Sequence, residues 1–123
     1  MKSQSRFRVH ATGPARRDIA AVARWSKQEF GARASARYET LIRQALQDIK
    51  SDPDRLGVRA RTDLGDPVHT YHLQFSRHNF PQDEQVRRPR HYFVYRIKDD
   101  VVEILRLIHD AQDLQRQLPD EET

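Results

Sequence analysis

Two amphipathic stretches, separated by little more than one glycine, constrain this chain more than any other feature. In the first, Ile19, Val22, Ala23, Ser26 and Phe30 recur at i, i+3, i+4, i+7 and i+11, with Trp25 beside them, which is one face of an α-helix. Thr12-Gly13-Pro14 marks its start, because proline is preorganised for the first helical turn and a small polar residue ahead of it suits a cap. Gly31 marks its stop. In the second, Tyr38, Leu41, Ile42, Ala45, Leu46 and Ile49 keep the same period as far as Ser51-Asp52-Pro53, where the residue before proline avoids the helical region. Helices joined by so short a turn run antiparallel. The expectation is a helical hairpin with one long apolar seam that has to be buried against something else.

The second half of the chain supplies that surface. Residues 52–68 read as a loop, punctuated by Pro53, Gly57, Gly65 and Pro67. Tyr71, Leu73 and Phe75 alternate with His72 and Gln74 as a half-buried strand. Residues 76–90 are polar and irregular, a long connection that reads either as a segment contacting DNA or a protein partner or as a mobile, solvated loop. Tyr92-Phe93-Val94-Tyr95-Arg96-Ile97 is aromatic and β-branched, a strong strand. Lys98-Asp99-Asp100 is a tight turn, and Val101 to Ile108 is the most apolar run, a central strand covered on both faces. Phe7-Arg8-Val9-His10 alternates as a short N-terminal strand; Leu114 and Leu118 suggest a short closing helix, and 119–123 a frayed tail. The order β-α-α-β-β-β predicts an α+β fold: the helical hairpin packed on a mainly antiparallel sheet of about four strands, in one domain over residues 1–123.

Composition narrows the chemistry. There is no cysteine, so disulfides, thiolate zinc sites and a cysteine nucleophile are excluded. His69, His72 and His78 match no zinc spacing, and the four glycines are isolated rather than gathered in a phosphate loop, so neither metal nor cofactor is expected. No apolar run approaches the ~20 residues of a membrane span, and the N-terminus lacks a signal-peptide core, so a cytoplasmic location is expected. Only 37% of residues are hydrophobic while 33% are charged, which implies a thin core and apolar surface left over for a partner. Of 22 basic residues against 18 acidic ones, 18 are arginine, whose planar guanidinium pairs with carboxylates and phosphates. An acidic protein or a nucleic acid would suit that surface.

The C-terminal half is the most distinctive. Arg88-Pro89-Arg90-His91-Tyr92-Phe93-Val94-Tyr95-Arg96-Ile97 is followed, after the turn, by Val102 to Ile108 and then His109-Asp110-Ala111-Gln112-Asp113-Leu114. This "YR" strand, hairpin and "LH-x-x-x-DL"-like ending resembles the RelE/ParE superfamily of toxins from bacterial type II toxin–antitoxin modules, in particular the ParE-type plasmid stabilisation proteins. Ala15, Asp18, Ile19, Trp25, Phe30-Gly31, Ala36, Tyr38, Leu41 and Pro53 fit the spacing of that family's helical hairpin, and the resemblance runs over roughly residues 6 to 118.

The resemblance implies a non-enzymatic toxin that inhibits DNA gyrase by binding and is neutralised by a cognate ParD-like antitoxin in a hetero-oligomer, with operator DNA bound only through the antitoxin and no membrane contact. The alternative it allows is a RelE-like, ribosome-dependent mRNA endoribonuclease. Such nucleases place basic residues and a tyrosine where this chain has Asp110, Ala111 and Gln117, and carboxylates at Asp110 and Asp113 would repel a phosphate. His109, Asp110, Asp113 and Leu114 are the candidate contacts to target or partner, because they form the family signature. Arg61, Arg96 and Arg106 are the candidates for antitoxin carboxylates. His109 also admits two other readings: a general acid or base flanked by those arginines, or a strand-end histidine that donates to a backbone carbonyl or to Asp113.

Overall fold

The computed structural model describes residues 6–62 and 67–112. Two α-helices, α1 (Gly13–Phe30) and α2 (Ala32–Ser51), lie against a five-stranded sheet of β1 (Arg8–Ala11), β2 (Arg59–Arg61), β3 (Val68–His72), β4 (His91–Lys98) and β5 (Val101–His109), in the order β1-β5-β4-β3-β2.

The hairpin begins and turns where local chemistry dictates. Thr12 Oγ1 accepts the Ala15 backbone N–H at 3.3 Å and donates to the Leu105 carbonyl, so one hydroxyl caps α1 and fastens it to the sheet. Thr12→Ala is expected to cost about 1 kcal/mol, a typical N-cap loss, measurable by urea denaturation. Gly31, at φ +90°, makes the sharp reversal into α2. Leu41, Ile42, Ala45 and Ile49 of α2 are fully buried, whereas Phe30, at the end of the predicted α1 seam, is 63% exposed.

These side chains pack on Tyr71, Phe93, Tyr95, Val102, Ile104 and Leu107 to form the main core. A second, smaller cluster of Val68, Val94 and Ile108 is also buried, which fits the expectation that β5 is covered on both faces. Ile104 and Leu107 share one core although they are three residues apart. The register explains this: Tyr95 faces Ile104 and Val94 faces Arg106, so Leu105 is the extra residue of a β-bulge that resets the alternation.

The expected α+β fold with its mainly antiparallel sheet holds, and the details differ as follows. The sheet has five strands, and β1 pairs parallel to β5, Arg8 opposite Val101 through Ala11 opposite Ile104. Residues 59–61 form an edge strand antiparallel to β3 rather than loop; Arg59-Ala60-Arg61 carries no apolar alternation to announce it. The strand expected through Phe75 ends at His72 and gives way to a 3-10 helix, Leu73–Asn79. Its buried residues are Leu73 and Ser76, one 3-10 turn apart, while Phe75 is 37% exposed.

Asp48 imposes that turn. Its carboxylate, almost buried on α2, accepts Ser76 Oγ at 2.6 Å, Asn79 Nδ2 at 3.0 Å and Gln44 Nε2 at 2.9 Å, with Arg55 Nη1 at 3.4 Å. Ser76 Oγ gives its hydrogen to Asp48, so the Tyr71 hydroxyl, 2.9 Å away, donates to Ser76. The 76–90 connection is likewise tied down rather than loose. Arg77 Nη1 donates to the Arg87 carbonyl at 2.7 Å, Gln85 Nε2 donates to the Phe80 carbonyl at 3.0 Å, a second 3-10 turn spans Gln82–Glu84, and Phe80 and Val86 pack on the core. The predicted closing helix at Leu114 and Leu118 and the tail at 119–123 lie outside the described residues.

Candidate functional site

The start of β4 and the end of β5 are paired, with His91 opposite His109, and the first turns of chain on either side carry the most chemically varied cluster in the molecule. The two imidazole rings meet edge to face at 5.1 Å. Trp25 of α1 packs edge-on against both, 5.4 Å from His91 and 6.3 Å from His109, and against Tyr38 of α2 at 6.4 Å.

The hydrogen bonds assign the protons. The Tyr38 hydroxyl accepts the Arg90 backbone N–H at 2.8 Å and lies 2.7 Å from His91 Nδ1, so it donates to that nitrogen. His91 is thereby held neutral with its hydrogen on Nε2. Burial, reinforced by the neighbouring His109, lowers its pKa from 6.5 to about 4. Burial also pushes the Tyr38 hydroxyl up to about 12, so it remains a donor at any ordinary pH.

Asp110 is the second hub. Its Oδ1 accepts Nε and Nη2 of Arg90 at 3.1 and 2.9 Å, a bidentate pair, and its Oδ2 lies 3.1 Å from His72 Nε2. His72 Nδ1 accepts the Gln74 backbone N–H, which leaves the ring hydrogen on Nε2 to donate to Asp110. Partial burial raises the Asp110 pKa, but the hydrogen bonds from His72 and Arg90 outweigh it and hold the carboxyl below its usual range.

The predicted site residues thus meet different fates. His109 Nδ1 accepts the Ala111 backbone N–H at 3.1 Å, so it closes the strand as an acceptor, and Asp110 Oδ1 lies 3.7 Å from the same nitrogen, beyond hydrogen-bond distance. Asp110 is engaged within the chain. Arg96 Nε donates to Glu103 at 2.7 Å. Arg106 pairs with Asp18 through Nε at 2.6 Å and Nη2 at 3.1 Å, and the same carboxylate accepts the Leu107 backbone N–H at 3.0 Å. Asp18 thereby satisfies the edge of β5 beyond Ile104, where β1 has ended. Arg61 sits at the end of the edge strand β2, remote in the sheet order from β5. Asp113 and Leu114 lie outside the described residues.

The sequence reading missed Tyr38 as a polar group, and it missed Arg90, His91 and His72. Arg90-His91 ahead of a strong strand was the available signal; the Tyr38 partner, 52 residues away, left none. Beside the cluster, Trp25, Phe30, Ala34, Tyr38 and Val86 line a groove of about 570 Å³ whose other lining residues include Arg37, Arg87, Arg88 and Arg90. That arrangement provides an apolar floor for an aliphatic or aromatic side chain and cations for carboxylates next to it.

The solved structure described as "Chromosomal ParDE TA system from P. aeruginosa" superposes with a TM-score of 0.55 at 14% identity, covering 86% of this chain and 98% of that one, which is a likeness of fold. No curated protein matches the chain in sequence. The family described as "ParE toxin of type II toxin-antitoxin system, parDE" matches residues 9–114, nearly the whole of the described structure. The chain belongs to the ParE toxin family of type II toxin–antitoxin systems.

Proposed function

We propose that this toxin acts by binding DNA gyrase and trapping its cleaved DNA complex, and that a ParD-like antitoxin silences it by laying an amphipathic helix along the helical hairpin. The observation that carries the reading is the ParE family match over residues 9–114. The groove floored by Trp25, Phe30 and Tyr38 supports the antitoxin part. An antitoxin carboxylate at Arg96 or Arg106 would have to displace Glu103 or Asp18. Arg87 and Arg88, on the rim of the groove, are ion-paired with no carboxylate among the described residues. A role in binding rather than bond cleavage is supported by His109 and His91, whose Nδ1 atoms both serve as acceptors inside the fold, and by Asp110, whose charge offsets that of Arg90.

The test uses purified protein, gyrase, ATP and relaxed plasmid. Linear DNA released by detergent and protease, and abolished by antitoxin, is the expected result. Undiminished supercoiling at large toxin excess, from a protein that still arrests growth, would overturn the reading and direct attention to RNA cleavage, with His109→Ala as the next variant.

A further inference from the structure

Beside the helical groove, across the Arg87, Arg88 and Arg90 that line both, two further hollows adjoin. One, of about 380 Å³, is lined by His72, Gln74, Arg77, Arg87, Arg88, Arg90 and Asp110, with Pro89. The other, of about 350 Å³, is lined by Arg59, Arg61, Thr70, Phe75 and Tyr92, with Gly57. His72 and Gln74 belong to both, so the hollows form one trough across the end of β3 and the segment that follows it. Among the described residues, six arginines line it against a single carboxylate, Asp110.

We infer that this trough binds the sugar–phosphate backbone of single-stranded nucleic acid directly, without the antitoxin, and that Phe75 offers a face on which a base stacks. The charge is supplied by guanidinium groups, which match phosphate oxygens in a planar fork. Arg77 is preset: Nη1 is held by the Arg87 carbonyl at 2.7 Å, and Nε is buried without a hydrogen-bond partner among the described residues. Phe75 is exposed yet fixed in place. Its ring lies over Gly57, where an added Cβ would come within 2.6 Å of Cγ, and it packs 5.9 Å from Tyr71. Arginines interleaved with an exposed ring are the pattern of sequence-tolerant single-strand binding. An acidic amphipathic peptide is the weaker fit here, because the trough, polar around Asp110 and apolar only at Phe75 and Tyr92, is less apolar than the groove at Trp25. The inference does not depend on gyrase being the target.

Fluorescence anisotropy of a labelled single-stranded DNA oligonucleotide against the purified full chain tests it. Binding is expected to weaken steeply between about 50 and 200 mM salt. Arg87→Ala/Arg88→Ala should weaken it at least tenfold and flatten the salt slope by about 1.4, two phosphate contacts at about 0.7 each. Phe75→Ala should weaken single-strand binding several-fold while sparing duplex binding. Arg24→Ala/Arg43→Ala, which removes the same charge from helical residues outside the trough, should leave affinity within about twofold. The inference fails if no binding appears at about 100 µM protein, the weak end of non-specific affinities. It also fails if the helix pair costs as much as the trough pair, or if labelled polyglutamate binds in place of the oligonucleotide with the same dependence on Arg87 and Arg88. Equal duplex and single-strand affinity with no effect of Phe75→Ala would overturn the single-strand assignment.

Discussion

Asp48→Ala is expected to destabilise the protein by about 3 kcal/mol, a large share of the 5–15 kcal/mol that holds a typical domain together. Four donors converge on this carboxylate: Gln44, Arg55, Ser76 and Asn79. Alanine leaves the fully buried Ser76 hydroxyl without its acceptor and disturbs the Tyr71 hydroxyl that donates to it. Arg55 loses its carboxylate as well, although its partial exposure lets water recover part of that cost. The damage extends to geometry, because the same carboxylate holds the 3-10 segment Leu73–Asn79 that carries Phe75 and Arg77. Asp48→Asn keeps only one acceptor oxygen for four donors and should fall between wild type and alanine. Urea unfolding at pH 7 measures both; an alanine variant within about 1 kcal/mol of wild type would show that the network is dispensable.

Acidification from pH 6.5 to 4 should cost the fold up to about 3 kcal/mol through His91 alone. Its folded pKa of about 4 lies below the ordinary 6.5. Between those values the unfolded chain binds a proton that the folded chain refuses, so stability rises with pH across that window. The contribution is complete above pH 6.5 and is lost as pH falls through 4. At about 1.4 kcal/mol per pH unit the gap gives the figure quoted. The physical cause is first of all burial beneath Trp25 and Tyr38; the neighbouring His109, His72 and Arg90 act in the same direction, and only Asp110 opposes them. His91→Gln removes the titration while keeping a carbonyl that can accept from Tyr38. Its unfolding free energy should be flatter than that of wild type between pH 4.5 and 6.5, the window of the histidine linkage. Parallel curves for the two proteins would remove His91 as the acid-sensitive group.

The pairing of His91 and His109 also shows why the family signature was easier to read than the site. His109-Asp110 stands out as a pair after an apolar strand, and the family match confirms what that ending resembles. The roles inside the pair were not legible. Asp110 binds Arg90 and His72, which lie 20 and 38 residues away. Arg96 and Arg106 are expected to meet antitoxin carboxylates, but each already has one within the chain, Glu103 across the β4–β5 hairpin and Asp18 from α1. Glu103 was seven residues off and could have been found from the hairpin register; Asp18 could not, being 88 residues distant.

What the sequence determined by itself is what neighbouring residues enforce. The 3.6-residue period, Thr12 and Gly31 set the helical hairpin, and the two-residue turn at Asp99-Asp100 set the β4–β5 pair. These are short-range effects of backbone sterics, capping and alternation, so they survive without knowledge of the rest of the chain. The tertiary structure decided the parallel direction of β1, the bulge at Leu105 and the end of β3 at His72, together with the meeting of Trp25, Tyr38, His91 and His109. Each of these depends on partners from distant parts of the chain. The carboxylate of Asp48 can override a strand-like alternation at Leu73 and Phe75 because a buried charge must find its donors, and a local pattern of apolar residues carries no record of where that charge lies.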